Sequence, residues 1–336
     1  MRIIVENHIP YIHGLLEDVA QVSYLPPEAI DATAVRDADA LLVRTRTRCD
    51  ASLLHGSRVN WIGTATIGTD HIDMDYCAAH GIAVANAPGC NAPAVAQYVL
   101  AGIGHWMAAR GITRPEALTL GVVGVGHVGS IVARWAKQLG FDVLCCDPPR
   151  AEREGNGSFV TLDHLLAHSH IVTLHTPLTL EGPHATRHLI DASALARAPQ
   201  CRLLINAARG PITSTAALLN WHGDLIIDCW ENEPNLSTAL LERTFIATPH
   251  IAGYSRQGKC RATAMLIEAL NARHGWHIEP PQVDTPAAGA AHVTLQGIVA
   301  SYNPLADTAA LKAIAHDVAA GFEQLRNHYH LREEIS

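Results

Sequence analysis

The chain has 336 residues, room for two domains of about 150 residues each and a small third piece. Its 24 Lys and Arg against 32 Asp and Glu leave a net charge of −8, which argues against nucleic acid or an anionic membrane surface as the main partner. Met1 to Gly14 turns polar after three apolar residues, no apolar run reaches about 18 residues, and the eight cysteines lack a C-x-x-C pair, so the expectation is a cytoplasmic protein with reduced thiols and no membrane span.

The first third alternates short apolar runs (Ile3 to Val5, Val22 to Leu25, Ala40 to Val43, Asn60 to Gly63, Ile82 to Val84) with helix-like segments, the pattern of a small parallel α/β domain. Asn91-Ala92-Pro93 reads as a helix start, and the helix should run to about Arg110 and lead into a second domain.

That domain opens on the stretch around which the chain is organised. An apolar strand, Leu118 to Val123, runs into Gly124, Gly126 and Gly129, spaced G-x-G-x-x-G. Val128, Ile131, Val132, Trp135 and Leu139 then share one helical face, with Gly140 placed to end the helix, and a second strand, Phe141 to Cys146, ends on Asp147. The glycines permit a tight turn and close approach to a pyrophosphate. His127 and Val128 start a helix whose free N–H groups face the anion, and Asp147 stands where a carboxylate accepts from the adenosine ribose and repels a 2′-phosphate. The cofactor expected is NAD. Further strands near 171–175, 202–205, 225–228 and 244–248 make six, suiting a Rossmann doubly wound sheet.

A helical pattern to about His274 should return the chain to the first domain. The expected division is therefore 1–91 with 250–279 as a discontinuous, flavodoxin-like substrate domain, 92–249 as the NAD-binding domain, and 280–336 as a short C-terminal dimerisation-type tail. Pro280-Pro281 and Ala287 to Ala291 read as linker. Within the tail, His292 to Leu295 reads as a strand and Ala306 to about Arg332 as one long helix, a piece too small for its own core and suited to packing on a partner subunit.

In a doubly wound sheet, ligands sit beyond the carboxyl ends of the strands. Three successive strand ends carry Asn206-Ala207-Ala208-Arg209-Gly210, then Cys229 to Pro234, then Pro249-His250. Together they supply what oxidation of a 2-hydroxy acid requires. Arg209 offers a fork for the substrate carboxylate, His250 a base for the hydroxyl proton, and Glu233 a carboxylate to fix the imidazole tautomer and raise its pKa. The i, i+4 histidines His164/His168 and His184/His188 have no third ligand at a telling distance, and no metal is expected.

Gly63 to Asp73, the glycine fingerprint, Asn206 to Gly210, Asp228 to Pro234 and Pro249 to Gly253 stand in the order of the D-isomer-specific 2-hydroxyacid dehydrogenase family, which the chain resembles. The resemblance implies Arg209, Glu233 and His250 as catalytic residues and Asp147, Thr176, Ala207, Asp228 and Gly253, beside Ala208 and Arg209, as cofactor contacts. It further implies Thr45, Thr66 and Tyr254 as substrate contacts, and Arg44 or Arg46 could supply a charge-assisted phosphate contact. Val43 to Thr47, Asp147-Pro148-Pro149-Arg150 and His250 to Lys259 narrow the likeness to members that oxidise a phosphorylated 2-hydroxy acid, 4-phospho-D-erythronate, on the route to pyridoxal phosphate. Retention of Phe322 to Tyr329 implies a homodimer. A dehydrogenase for another acid, such as 3-phosphoglycerate, is the second reading, and a non-catalytic NAD(H)-sensing protein the third.

Overall fold

The computed structural model describes residues 1–283 and 293–335 and divides into two compact units: 1–91 with 255–285, and 92–254 with 286–336. In the first, β1 (Arg2–Glu6), β2 (Gln21–Leu25), β3 (Ala40–Val43), β4 (Trp61–Thr64) and β5 (Ala83–Ala85) form an all-parallel sheet in the order β2-β1-β3-β4-β5. This is the flavodoxin-like order, with its switch point between β1 and β3. β3 and β4 are buried along their whole length, as expected of strands covered on both faces. The Arg256–His274 helix supplies Ala262, Leu266, Ile267 and Leu270 to one of the two cores.

The second unit holds β6 (Thr119–Val123), β7 (Asp142–Cys146), β8 (Ile171–Leu174), β9 (Leu203–Asn206), β10 (Asp224–Ile227) and β11 (Ile246–Ala247), all parallel, in the order β11-β10-β9-β8-β6-β7. The third Rossmann position is reduced to one hydrogen bond beyond β7, Val160 N–H to Cys145 O at 2.8 Å. The switch point thus lies between β6 and β8. The His127–Gln138 helix buries Val132, Trp135 and Ala136, and Gly140 follows it at φ +93°, a left-handed position that suits a residue without Cβ. The Ala92–Ala109 helix is buried on nearly all sides and packs in the same core.

The C-terminal region departs from expectation. His292 and the Ala287 to Ala291 linker lie outside the described residues, but Val293 and Thr294 are not in a strand. Thr294 accepts from Gly297 N–H and starts a helix, Leu295–Ser301. A Ser/Thr cap before a helical turn outweighs the β-type composition of a four-residue run. The single long helix is two, Pro304–Ala313 and Val318–Asn327, joined by a tight turn at Ala315–Asp317. This region has a core to join within its own unit. Ile298 and Tyr302 pack with the Ala92–Ala109 helix, while Leu311, Val318 and Phe322 join the core on the sheet's other face. Thr308 Oγ1 accepts from Ala247 N–H at 3.0 Å and Lys312 Nζ donates to Thr244 O at 2.7 Å, so side chains satisfy the edge at β11.

Candidate active site

The catalytic candidates follow three neighbouring strands. Asn206 closes β9, is 1% exposed, and shapes the loop beyond it: its Oδ1 accepts from Ala208 N–H at 3.2 Å and its Nδ2 donates to Arg209 O at 2.9 Å. A Cβ on Gly210 would collide with the Trp230 carbonyl, so this glycine lets the Arg209 loop lie directly on the backbone of the loop after β10. Arg209 itself is half-buried, with Nη1 donating to Ala208 O at 2.9 Å.

After β10 the chain turns so that Glu233 Oε2 accepts from Trp230 N–H at 3.0 Å. Its Oε1 meets His250 Nδ1 at 2.6 Å. Burial opposes protonation of His250, but the adjacent Cys229 sulfur and the Glu233 carboxylate favour it, and the balance lies well above the usual imidazole range. The converse holds for Glu233: burial pushes its carboxyl up, while His250, the Trp230 amide and the Arg326 guanidinium bring it below the usual range. The two shifts agree on an ion pair. With Nδ1 engaged, proton transfer falls to the other ring nitrogen.

Asp228 sits beneath this pair, 1% exposed, and burial raises its pKa. Its Oδ1 accepts from Thr248 Oγ1 at 2.6 Å and Ile251 N–H at 2.7 Å, its Oδ2 from Ala252 N–H at 3.0 Å, and its carbonyl from His250 N–H at 2.9 Å. One buried carboxylate thereby fixes the segment that carries His250, whose φ is +56°, and leads into Gly253 and Tyr254. That role within the protein accompanies the cofactor contact the family resemblance implies for it.

The glycine loop follows β6 and rests against the loop after β8. A Cβ on Gly124 would lie 2.8 Å from Thr176 N, and one on Gly129 would collide with Gly124 O, whereas one on Gly126 would meet nothing. Two glycines are thus required by the protein's own packing, and the middle one leaves open the side from which a pyrophosphate approaches the His127 and Val128 end of the helix. Asp147 Oδ2 accepts from Val125 N–H at 2.8 Å and Oδ1 from Arg150 N–H at 3.0 Å, which ties the end of β7 to the glycine loop. Thr176 Oγ1 is buried beside Gly124 with no hydrogen-bond partner among the described residues, a polar atom suited to a ligand. These features fit a dinucleotide.

Within the first unit, the candidate substrate residues follow β3 and β4. Buried Glu6, at the end of β1, accepts from Arg44 N–H at 2.8 Å and Thr47 Oγ1 at 3.1 Å, bracing the Arg44–Thr47 turn across the switch point. Arg44 Nη1 donates to His8 O at 2.8 Å, while Thr45 and Arg46 are exposed. Thr66 Oγ1 donates to Gly68 O at 2.9 Å. Thr64, 2.7 Å away, must therefore donate to Thr66, and it takes its own hydrogen bond from His71 Nε2 at 3.0 Å. Burial, only partly offset by Asp70, lowers the His71 pKa, consistent with a neutral Nε2–H tautomer. Thr66 is left able to accept but not to donate.

Of the paired histidines, His164 and His168 stack at 4.2 Å on one helix. His184 and His188 are in no helix and meet Glu152 and Glu231 separately.

Two further residues come from the C-terminal region. Arg326 is half-buried near Tyr254 and Glu233 and donates to Glu323 Oε1 at 2.7 Å. Arg332, 8% exposed, donates to Ile251 O at 3.2 Å and to Ala252 O.

Residues 91–252 match the family described as D-isomer specific 2-hydroxyacid dehydrogenase, NAD binding domain. The chain is 41% identical to erythronate-4-phosphate dehydrogenase of Bacteroides thetaiotaomicron, over 99% of this chain and 97% of that protein. The chain belongs to the D-isomer-specific 2-hydroxyacid dehydrogenase family. It is also 42% identical to erythronate-4-phosphate dehydrogenase of Chromohalobacter salexigens, over 100% of this chain and 92% of that one. The fold is similar to that of D-lactate dehydrogenase from Aquifex aeolicus, solved with NAD and lactic acid, with a TM-score of 0.65 and 24% identity, covering 81% of this chain and 95% of that one. As a family member the chain is an NAD-dependent dehydrogenase with its NAD-binding domain on the second unit.

Proposed function

We propose that this protein oxidises 4-phospho-D-erythronate at C2 to 2-oxo-3-hydroxy-4-phosphobutanoate, on the route to pyridoxal phosphate. The chemistry rests on the Glu233–His250 contact of 2.6 Å beyond β10 and β11, of which β10 adjoins β9, the strand that carries Arg209. The substrate rests on the relatives named for it, which match over nearly the whole chain.

When bound, NAD supplies the acceptor for the hydride from C2. Gly124, Gly126, Gly129, His127, Val128, Asp147, Thr176, Ala207, Ala208, Asp228 and Gly253 would hold it. The His250 ring nitrogen not bound to Glu233 takes the hydroxyl proton, and Glu233 stabilises the imidazolium that results. Arg209 grips the substrate carboxylate with its planar fork and polarises the C2 oxygen. In reduction the same imidazolium is the acid. Thr45, Thr66, Tyr254 and the arginines Arg44 and Arg46 are proposed substrate contacts, Thr66 as an acceptor only. A homodimer in the cytoplasm completes the proposal, and eight free cysteines, six of them buried, suit a reducing compartment.

The test is NADH formation with 4-phospho-D-erythronate, 3-phospho-D-glycerate and D-lactate in parallel, repeated with a 2-oxo acid present to reoxidise retained NADH and with the oxidised product as the readout. Preference for phosphoerythronate is expected. Activity on another acid alone keeps the mechanism and removes the substrate, and silence on all three despite NADH binding removes both.

A further inference from the structure

The His250 segment is held on one side by Asp228, which takes the N–H groups of Ile251 and Ala252. A second clamp takes the carbonyls of the same two residues, so that the 251–252 peptide is held on both sides and the 252–253 peptide is added. Arg332 Nη1 donates to Ile251 O at 3.2 Å, and Nη2 donates to Ala252 O and, at 3.0 Å, to Ala94 O at the start of the Ala92–Ala109 helix. The guanidinium lies 4.5 Å over the Tyr302 ring, whose hydroxyl donates to Asp307 Oδ2 at 2.6 Å. Tyr329, 3.3 Å from Arg332 Nη1, also packs edge-on against Tyr254 with ring centroids 6.0 Å apart. Every partner belongs to the second unit.

We propose that Arg332 is a positioning residue for the dehydrogenase reaction, holding His250 and Gly253 in register through the carbonyls of Ile251 and Ala252. The inference rests on the dehydrogenase reading above and gives the C-terminal region a role in the active site of its own chain.

The physical case is one of opposed anchors. Asp228 alone fixes the 250–251 and 251–252 peptides at their amides and leaves the planes free to tilt. A planar cation on the carbonyl side removes that freedom at the 251–252 peptide and holds the 252–253 peptide that leads into Gly253, and a guanidinium suits the task because its fixed fork reaches several acceptors at once, which an ammonium cannot. His250 immediately precedes the clamped pair, so a tilt there moves the imidazole relative to Glu233 and to substrate. A misplacement of about 1 Å costs about 100-fold in rate.

The experiment compares the full-length protein with Arg332→Ala and Arg332→Lys. Arg332→Ala is expected to lower kcat by about 100-fold with KM little changed, to shift the pH–rate profile, and to recover in part with added guanidinium. Arg332→Lys, which keeps the charge and loses the fork, should fall between the two. Hydrogen exchange of the 250–254 peptide in the NADH complex supplies a readout independent of turnover. The Ile251 and Ala252 amides should lose protection in the variants while the β6–β8 strands keep theirs. If the wild type turns over none of the acids, the reading of the reaction fails, and exchange alone decides the clamp. Unchanged kcat and unchanged exchange in a folded variant overturn the proposal. So does equal loss of protection in the 250–254 segment and in the β6–β8 strands, which makes Arg332 a general support. If Arg332→Ala does not fold, Arg332→Lys is decisive, and wild-type kcat and exchange in it overturn the fork argument.

Discussion

At the scale of single residues the site turns on who holds His250 and with what charge. Cys229 and Glu233 keep the imidazole protonated well above its ordinary range despite burial. Oxidation needs the neutral ring and should therefore rise with pH through that elevated pKa, while reduction needs the imidazolium and falls over the same interval. Glu233→Gln removes the carboxylate's share and leaves Cys229 to oppose burial. The oxidative limb is expected to move to lower pH, and reduction at neutral pH should drop by about 100-fold or more, the range of a lost general acid. Stability follows the same sign. A group whose pKa is raised on folding stabilises fully below its unfolded value, about 6.5 for His, and loses that contribution as pH rises through the folded value. Thermal melts across alkaline pH should show this loss in the wild type and less of it in the variant. The pairing was legible because a carboxylate before a proline and an imidazole after one stand at neighbouring strand ends. The roles of Arg326 and Arg332 were not, since a lone arginine acquires meaning only from the groups it meets, here some 80 residues away in sequence.

Elements were legible to the degree that burial writes itself into composition. Among the described residues, all eleven strands match or overlap apolar runs; β3, β4, β8 and β9, buried along their whole length, do so because a parallel strand covered on both faces admits little else. In the C-terminal region the signal fails. Val293 reads as part of a strand yet precedes a capped helix, and the Pro304–Ala313 and Val318–Asn327 helices share one helical pattern although the backbone tightens between them without Gly or Pro. The glycine fingerprint illustrates a different limit, since three identical residues do different work. Gly129→Ala sets a methyl against the Gly124 carbonyl and should destabilise the protein, lowering the melting temperature of the apoprotein. Gly126→Ala meets no protein atom, so its melt should stay near wild type while NADH affinity falls about tenfold or more, at least 1.4 kcal/mol. Fluorescence titration with NADH alongside calorimetry separates the two; equal effects in both variants would remove the distinction.

Over the whole molecule, the C-terminal region is a structural part of the nucleotide-binding unit. Ile298, Leu311 and Phe322 are each at most 1% exposed, and they enter cores on both faces of the sheet. Losing a buried side chain of this size costs about 2–5 kcal/mol, so removing all three approaches or exceeds the roughly 5–15 kcal/mol that holds a typical protein folded. A chain ending at residue 292 is therefore expected to be unfolded or insoluble, and Phe322→Ala to lose about 3–5 kcal/mol in denaturant titration. A soluble truncated chain with a cooperative melt like that of the full protein would refute this assignment.

Arg332 follows Ile251 by 81 residues, and its hydrogen bonds to that segment cross this whole interval. At a synthesis rate of about 5–20 residues per second, a growing chain spends about 4 to 16 s with Arg209, Glu233 and His250 already made and the guanidinium that meets their loop not yet translated. Translation that stops early thus yields a product with Arg209, Glu233 and His250 in place and no guanidinium to hold their segment. On the proposed clamp, full competence for turnover is acquired late.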